Sequence, residues 1–186
     1  AEITVTVTNK NRPRTIITQD AEVDDMDSLI HILLYSNEID IQGIVQSSSQ
    51  HHWIGVDGKE TPEGPTAGIM KSSTGHKFSE KKRWPGTDWM FEYLDAYEEV
   101  YSNLKKHDSS YPTPDYLRSV TKIGNIGYEG EMDAPTEGSE LIRKAILDDD
   151  ERTLYLQAWG GINTIARALK AVSYTHLRAH ETLRHL

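Results

Sequence analysis

Arg14-Thr15-Ile16-Ile17-Thr18-Gln19-Asp20-Ala21-Glu22-Val23-Asp24-Asp25 joins two kinds of periodicity within a dozen residues. Its first part, Arg14 to Thr18, is β-branched and reads as a strand. Beyond it Met26, Leu29, Ile30, Leu33 and Leu34 fall at i, i+3, i+4, i+7 and i+8, the spacing of an amphipathic helix. The acids of residues 18 to 25 therefore lie between the carboxyl end of a strand and the amino end of a helix. Ligands of open α/β sheets bind at such places, because side chains and free helix N–H groups converge there.

Two readings of these acids stand side by side. In one, Asp24 and Asp25 charge the first helical turn and Asp20 points to water. In the other, Asp20, Asp24 and Asp25 converge. At about 5 Å and an effective dielectric near 20, each ionised pair then repels by roughly 3 kcal/mol. A helix N-terminus returns only about 0.3–1 kcal/mol per acid. A hard divalent cation with oxygen ligands would offset the difference.

Outward from this junction the helix is expected to stop near Ser36-Asn37, asparagine being tolerant of the left-handed conformation at a helix end. Ile39 to Val45 reads as a second strand, giving a β-α-β unit with parallel strands. Gln46-Ser47-Ser48-Ser49-Gln50-His51-His52-Trp53 follows at the same sheet edge as the acids, as a second wall of a pocket. Residues 54–88 are rich in Gly, Pro, Ser, Thr and Lys without sustained period, a long excursion of the kind that forms lids or insertions.

Asp88 is placed to cap a long helix whose face is Met90, Tyr93, Leu94, Tyr97, Val100, Tyr101 and Leu104, an aromatic stripe at core spacing. A Pro-rich turn at Tyr111 to Pro114 starts a short helix to about Thr121, and the glycine-rich residues 124–130 read as loop. Helical spacing returns from Glu140 to Asp148. Thr153 to Trp159 is a further strand, broken by Gly160-Gly161 before another helix begins. That second strand-loop-helix junction is expected to bring its glycine turn near the acids, with Asn163 as helix cap or ligand contact. The fold class is α/β, a Rossmann-like, mostly parallel sheet flanked by helices. Residues 1–13, which alternate Ile-Thr-Val-Thr-Val-Thr before a polar run, form a peripheral extension.

The composition narrows the partners. The formal charge of −9, from 20 basic and 29 acidic residues, opposes general affinity for nucleic acid or an anionic membrane. With no cysteine there is neither a disulfide framework nor a thiolate site. No apolar run is long enough to cross a bilayer and none reads as a signal peptide. A first residue of Ala1 fits a processed or trimmed chain, so export stays open, and the oligomeric state is unassigned.

Taken together, Arg14 to Asp25, Leu33-Leu34-Tyr35-Ser36-Asn37-Glu38, Gly43-Ile44-Val45, His52-Trp53, Gly124-Asn125, Glu137-Gly138-Ser139 and Ala158-Trp159-Gly160-Gly161-Ile162-Asn163-Thr164 resemble the nucleoside-hydrolase-like domain of a bacterial family named for a cellulose-binding protein. The resemblance runs from about Arg14 to Val172. It implies an Asp-x-Asp-x-x-x-Asp-Asp opening that holds calcium, with a base that activates a metal-bound water. Asp20 matches the general base and a metal ligand, Asp24 the sugar-binding acid, and Asp25 a metal ligand. The main-chain carbonyl of Trp159 falls at a further metal position. Thr18 stands where the pattern has its first aspartate, leaving its hydroxyl or a water as substitute ligand. Gln50 falls near a sugar-contacting asparagine, and His52, Trp53, Asn125 and Asn163 complete the candidate substrate-binding set. The His51-His52-Trp53 wall differs from that of true hydrolases, which leaves the substrate open between a nucleoside-like sugar and a polysaccharide.

Ser173 to Leu186 does not fit the pattern and reads as a non-native tail; its His176, His180 and His185 also lie at helical spacing. On that reading the nucleoside-hydrolase fold is incomplete, and its later metal-binding aspartate and histidine acid are missing. Three functions are compared: a calcium-dependent glycosidic hydrolase, a non-catalytic carbohydrate-binding module on the same fold, and a magnesium phosphotransferase. The last is the weakest, because the chain has no lysine-bearing phosphate loop.

Overall fold

The structure, a computed structural model, describes residues 12–59 and 72–183, with side chains as far as residue 174 in the last helix. Most of the expected N-terminal extension, part of the excursion, and the side chains of the tail histidines lie outside the described residues. The elements run β1 (Arg14–Gln19), α1 (Val23–Leu34), β2 (Asp40–Gln46), α2 (Trp89–His107), α3 (Pro114–Val120), β3 (Thr121–Ile123), α4 (Glu137–Ile146), β4 (Leu154–Ala158) and α5 (Asn163–Leu183).

The four strands form one parallel sheet in the order β3-β2-β1-β4, as the β-α-β reading requires. Successive strand residues point to opposite faces, and the apolar pairs divide accordingly. Ile17 and Ile44 enter a core with Leu29, Leu33, Met90, Leu94 and Leu117, beneath α1, α2 and α3. Ile16 and Val45 enter a second core with Ile142 and Ala168, beneath α4 and α5. The chain leaves β1 towards β2 and β3, then returns to place β4 on the other side of β1. The strand order reverses between β1 and β4, which opens a crevice at their carboxyl ends.

Several local expectations need correction. Thr121 to Ile123 is a strand, absent from the sequence reading because three residues show no period. Helix α1 ends at Leu34 with Tyr35 at φ −101°, and no left-handed asparagine is used; the Tyr35 N–H bonds to the His31 and Ile32 carbonyls instead. Asp88 occupies the cap position of α2 but makes no side-chain capping bond. Helix α4 starts at Glu137 rather than Glu140, because the Thr136 hydroxyl accepts the Ser139 N–H. The expected face of α2 packs on the first core through buried Met90, Leu94 and Tyr97 and partly buried Tyr93, Tyr101 and Leu104, but Val100 is exposed.

At the amino end of the sheet Arg14 is buried, and its guanidinium bridges Asp148, the Gln42 side chain and the Asp150 carbonyl. The excursion closes on a third small core of Trp53, Phe78 and Tyr128, where the Phe78 and Tyr128 rings stack at 4.6 Å. It is stitched to the 124–130 loop by the Ile54 and Gly55 N–H groups, which donate to the Ile126 and Gly127 carbonyls. On the far side β4 is an edge strand with Tyr155 half exposed, and Ile162, Leu169 and Tyr174 are exposed nearby.

Candidate functional site

The turn after β1 is built by its own side chains. Asp25 Oδ2 accepts the N–H groups of Asp20 and Glu22 at 3.0 and 3.2 Å, and Gln19 Oε1 accepts that of Ala21 at 2.9 Å. Between them Ala21 is forced to φ +68°, a left-handed conformation that an alanine adopts at a cost of about 1–2 kcal/mol. Strain of this kind is retained where surrounding bonds over-determine it, and such places cluster at functional sites. From the facing junction, the Trp159 N–H donates to the Thr18 carbonyl at 2.8 Å. Gly160 then passes so close that a Cβ there would lie 2.5 Å from Asp20 Oδ1. The expected meeting of the glycine turn with the acids is thus observed, and only glycine permits it.

Asp20 is 2% exposed, and the loop after β2 brings His52 to it. His52 Nδ1 stands 3.5 Å from Asp20 Oδ2 and 3.5 Å from Glu22 Oε1. It is buried and makes no hydrogen bond. Burial alone would raise the Asp20 pKa, but the interaction with His52, 3.5 Å away, and with Asp25 and Ser49 outweighs it and holds the carboxyl well below the usual range. For Asp25 the balance is opposite: burial and the adjacent Asp20 push it up to about 7, against the two backbone N–H bonds. Of the two buried carboxyls, Asp20 is the one held in its charged form, and Asp25 the one pushed towards its neutral form.

A cavity of about 610 Å³ opens above this group, with Asp20, Glu22, Gln50, Glu129, Trp159 and Asn163 among its lining residues. The structure therefore brings Asp20, Gln50, Trp159 and Asn163 to one pocket, with His52 behind Asp20. Thr18 is fully buried with its hydroxyl donating to the Gln157 carbonyl at 3.4 Å. Asp24 is exposed on the first turn of α1 and is not part of the cavity wall.

Trp53 is fully buried in the third core, its indole N–H donating to the Glu80 carbonyl at 2.7 Å. Asn125 is likewise buried, its amide donating to Glu131 Oε1 and the Ala134 carbonyl. Asn163 uses its side chain to tie three loops together. Its Nδ2 donates to Ser48 Oγ and to the Asn125 and Glu131 carbonyls, and its Oδ1 accepts from Ser47 Oγ at 2.7 Å. Two pocket acids were not among the residues picked from sequence, Glu22 and Glu129. Glu22 had a usable signal: it lies two residues after Asp20 in a non-helical link.

Calcium takes six to eight oxygen ligands. Of the oxygen set that the resemblance implies, the Thr18 hydroxyl is turned to β4 and Asp25 Oδ2 is engaged by two backbone N–H groups. Among the described residues, the acid and imidazole donors that do come within 4.8 Å of one another are those of Asp20, Glu22 and His52. That set includes an imidazole nitrogen, whereas calcium takes oxygen ligands.

The parallel sheet with an acidic cleft at its switch point makes this an α/β domain of the open, ligand-binding kind. The chain belongs to the family described as "Cellulose-binding Sde182, nucleoside hydrolase-like domain", which matches residues 14–185. Among solved structures it is similar to a nucleoside hydrolase-related hypothetical protein from Saccharophagus degradans that is associated with carbohydrate metabolism. The identity is 31% and the TM-score 0.66, over 88% of this chain and 34% of that one. The chain thus spans about a third of the length of that structure. No curated protein matches the chain.

Proposed function

We propose that the Asp20 pocket binds a carbohydrate and hydrolyses a glycosidic bond in it, with Asp20 as the base. The observation that supports this reading most is a buried carboxyl, held towards its charged form by its neighbours, at the floor of a cavity at the sheet's switch point. A carboxylate in that place orients a water against the anomeric carbon and accepts its proton. The negative potential of Asp20, Glu22 and Glu129 opposes the positive charge that develops on the sugar ring in an oxocarbenium-like transition state. Gln50 offers both donors and an acceptor to sugar hydroxyls, and Trp159 an apolar surface. The family's association with cellulose and the relative's with carbohydrate metabolism favour a sugar or polysaccharide ligand.

A second reading, a binding module without turnover, has its own support. The Asn125 and Asn163 amides are engaged internally, Asp24 faces solvent, and Thr18 replaces an acid. The test is release of free sugar from a panel of nucleosides and oligosaccharides. Turnover that disappears in Asp20→Asn supports the hydrolase. Sugar binding without turnover, unchanged in Asp20→Asn, supports the module.

A further inference from the structure

We propose that Asp20, Glu22 and His52 form a site for a divalent transition-metal ion, one imidazole nitrogen with two carboxylate oxygens, rather than a calcium site. The evidence is the placement of His52 Nδ1. It is buried, makes no hydrogen bond, and is equidistant at 3.5 Å from Asp20 Oδ2 and Glu22 Oε1. An imidazolium N–H that bridged to a carboxylate would close to about 2.7–2.9 Å. Two donors each about 2.1 Å from one tetrahedral ion instead stand about 3.4 Å apart. The His52 nitrogen therefore stands from both carboxylates at the separation of donors that share one ion.

The surroundings hold that arrangement. Gly160 leaves no room for a side chain beside the Asp20 carboxyl, and the bonds from Asp25 to the turn fix the backbone between Asp20 and Glu22. The cavity lies in front, so water or a ligand oxygen can complete the coordination. One imidazole among carboxylates suits zinc, manganese or cobalt, whereas calcium takes oxygen alone. The inference rests on the same pocket as the hydrolase reading but does not require turnover.

The test is titration of the untagged 186-residue chain with Zn²⁺, Co²⁺ and Ca²⁺, by calorimetry and by the visible absorption of bound Co²⁺. One equivalent of Zn²⁺ is expected at the pocket, bound at least about tenfold more tightly than Ca²⁺ and weakened tenfold or more by His52→Gln. Glu22→Gln should weaken it comparably; its amide oxygen can still accept the Asp25 N–H at the start of α1, and a thermal melt of the variant checks that it folds. Any zinc taken up by His176, His180 or His185 persists in both variants and is subtracted as background. Calcium bound as tightly as zinc and indifferent to His52→Gln would overturn the proposal, as would Zn²⁺ and Co²⁺ binding that both variants leave unchanged. Sugar release is scored separately. Metal binding without hydrolysis removes the hydrolase reading alone, and hydrolysis without His52-dependent binding removes this proposal alone.

Discussion

Replacing Gly160 by alanine is the sharpest probe of the site, because the contact it disturbs spans the two junctions. A Cβ at this position would meet Asp20 Oδ1 at 2.5 Å, Cγ at 2.6 Å and Cβ at 2.8 Å. Rotation of the carboxylate relieves the first two contacts but cannot move the Asp20 Cβ, which is fixed by its own backbone. The chain at Gly160 or at Asp20 must therefore recoil, by roughly 0.5–1 Å to reach ordinary carbon–carbon contact near 3.5 Å. Overpacking of this size costs about 1–3 kcal/mol. In a domain of this length each kcal/mol lowers Tm by about 2–4 °C, so a fall of roughly 2–12 °C is expected. A shift near 1 Å at a reacting group also costs about 10²-fold in rate. The assay is a thermal melt beside the titrations of sugar and metal. Gly58→Ala serves as control, since φ there is +75° but nothing lies within 4 Å, leaving only a left-handed backbone cost of about 1–2 kcal/mol. If Gly160→Ala melts with the wild type and binds as well, the close-approach argument is refuted.

Three further outcomes are expected. The raised pKa of Asp25 means that the folded metal-free chain holds a proton that the unfolded chain releases near pH 4. Its contribution is present below that pH and lost as pH rises towards about 7. Urea midpoints across that range should fall with rising pH, and Asp25→Asn should flatten the trend; a parallel profile in the variant would discount the carboxyl pair. Arg14→Met removes the donors to the Gln42 side chain and the Asp150 carbonyl and should cost about 1–3 kcal/mol in chemical denaturation, without altering metal affinity in the folded protein. Trp53→Ala empties the third core and should cost about 3–5 kcal/mol. A sugar affinity lost in Trp53→Ala with the melt unchanged would show instead that the indole contacts ligand.

The first β-α-β unit was readable because its signals are local. Ile16 and Ile17 give a β-branched run, and Met26 to Leu34 repeat at helical spacing over two turns. Strand β3 was not readable, since Thr121-Lys122-Ile123 owes its extended form to pairing with Ile44, Val45 and Gln46 of β2. Trp53, beside two histidines at a sheet edge, resembles a ligand platform in sequence. Its burial follows from Phe78 and Tyr128, which come from distant segments. Asn125 and Asn163 look equally available in the chain, yet their amides are engaged in holding loops together.

The sequence by itself determined the parallel α/β class, the acidic junction after β1, and the second junction with its glycines, because strand and helix periods and turn residues are properties of neighbouring positions. Tertiary structure alone decided which acids share a site. Asp24 and Asp25 are adjacent in the chain, but a helix turns them about 100° apart, leaving one in solvent and the other buried. Glu22 and His52 meet Asp20 only once β2 has been laid beside β1 and the left-handed turn at Ala21 has brought the two carboxylates to one nitrogen.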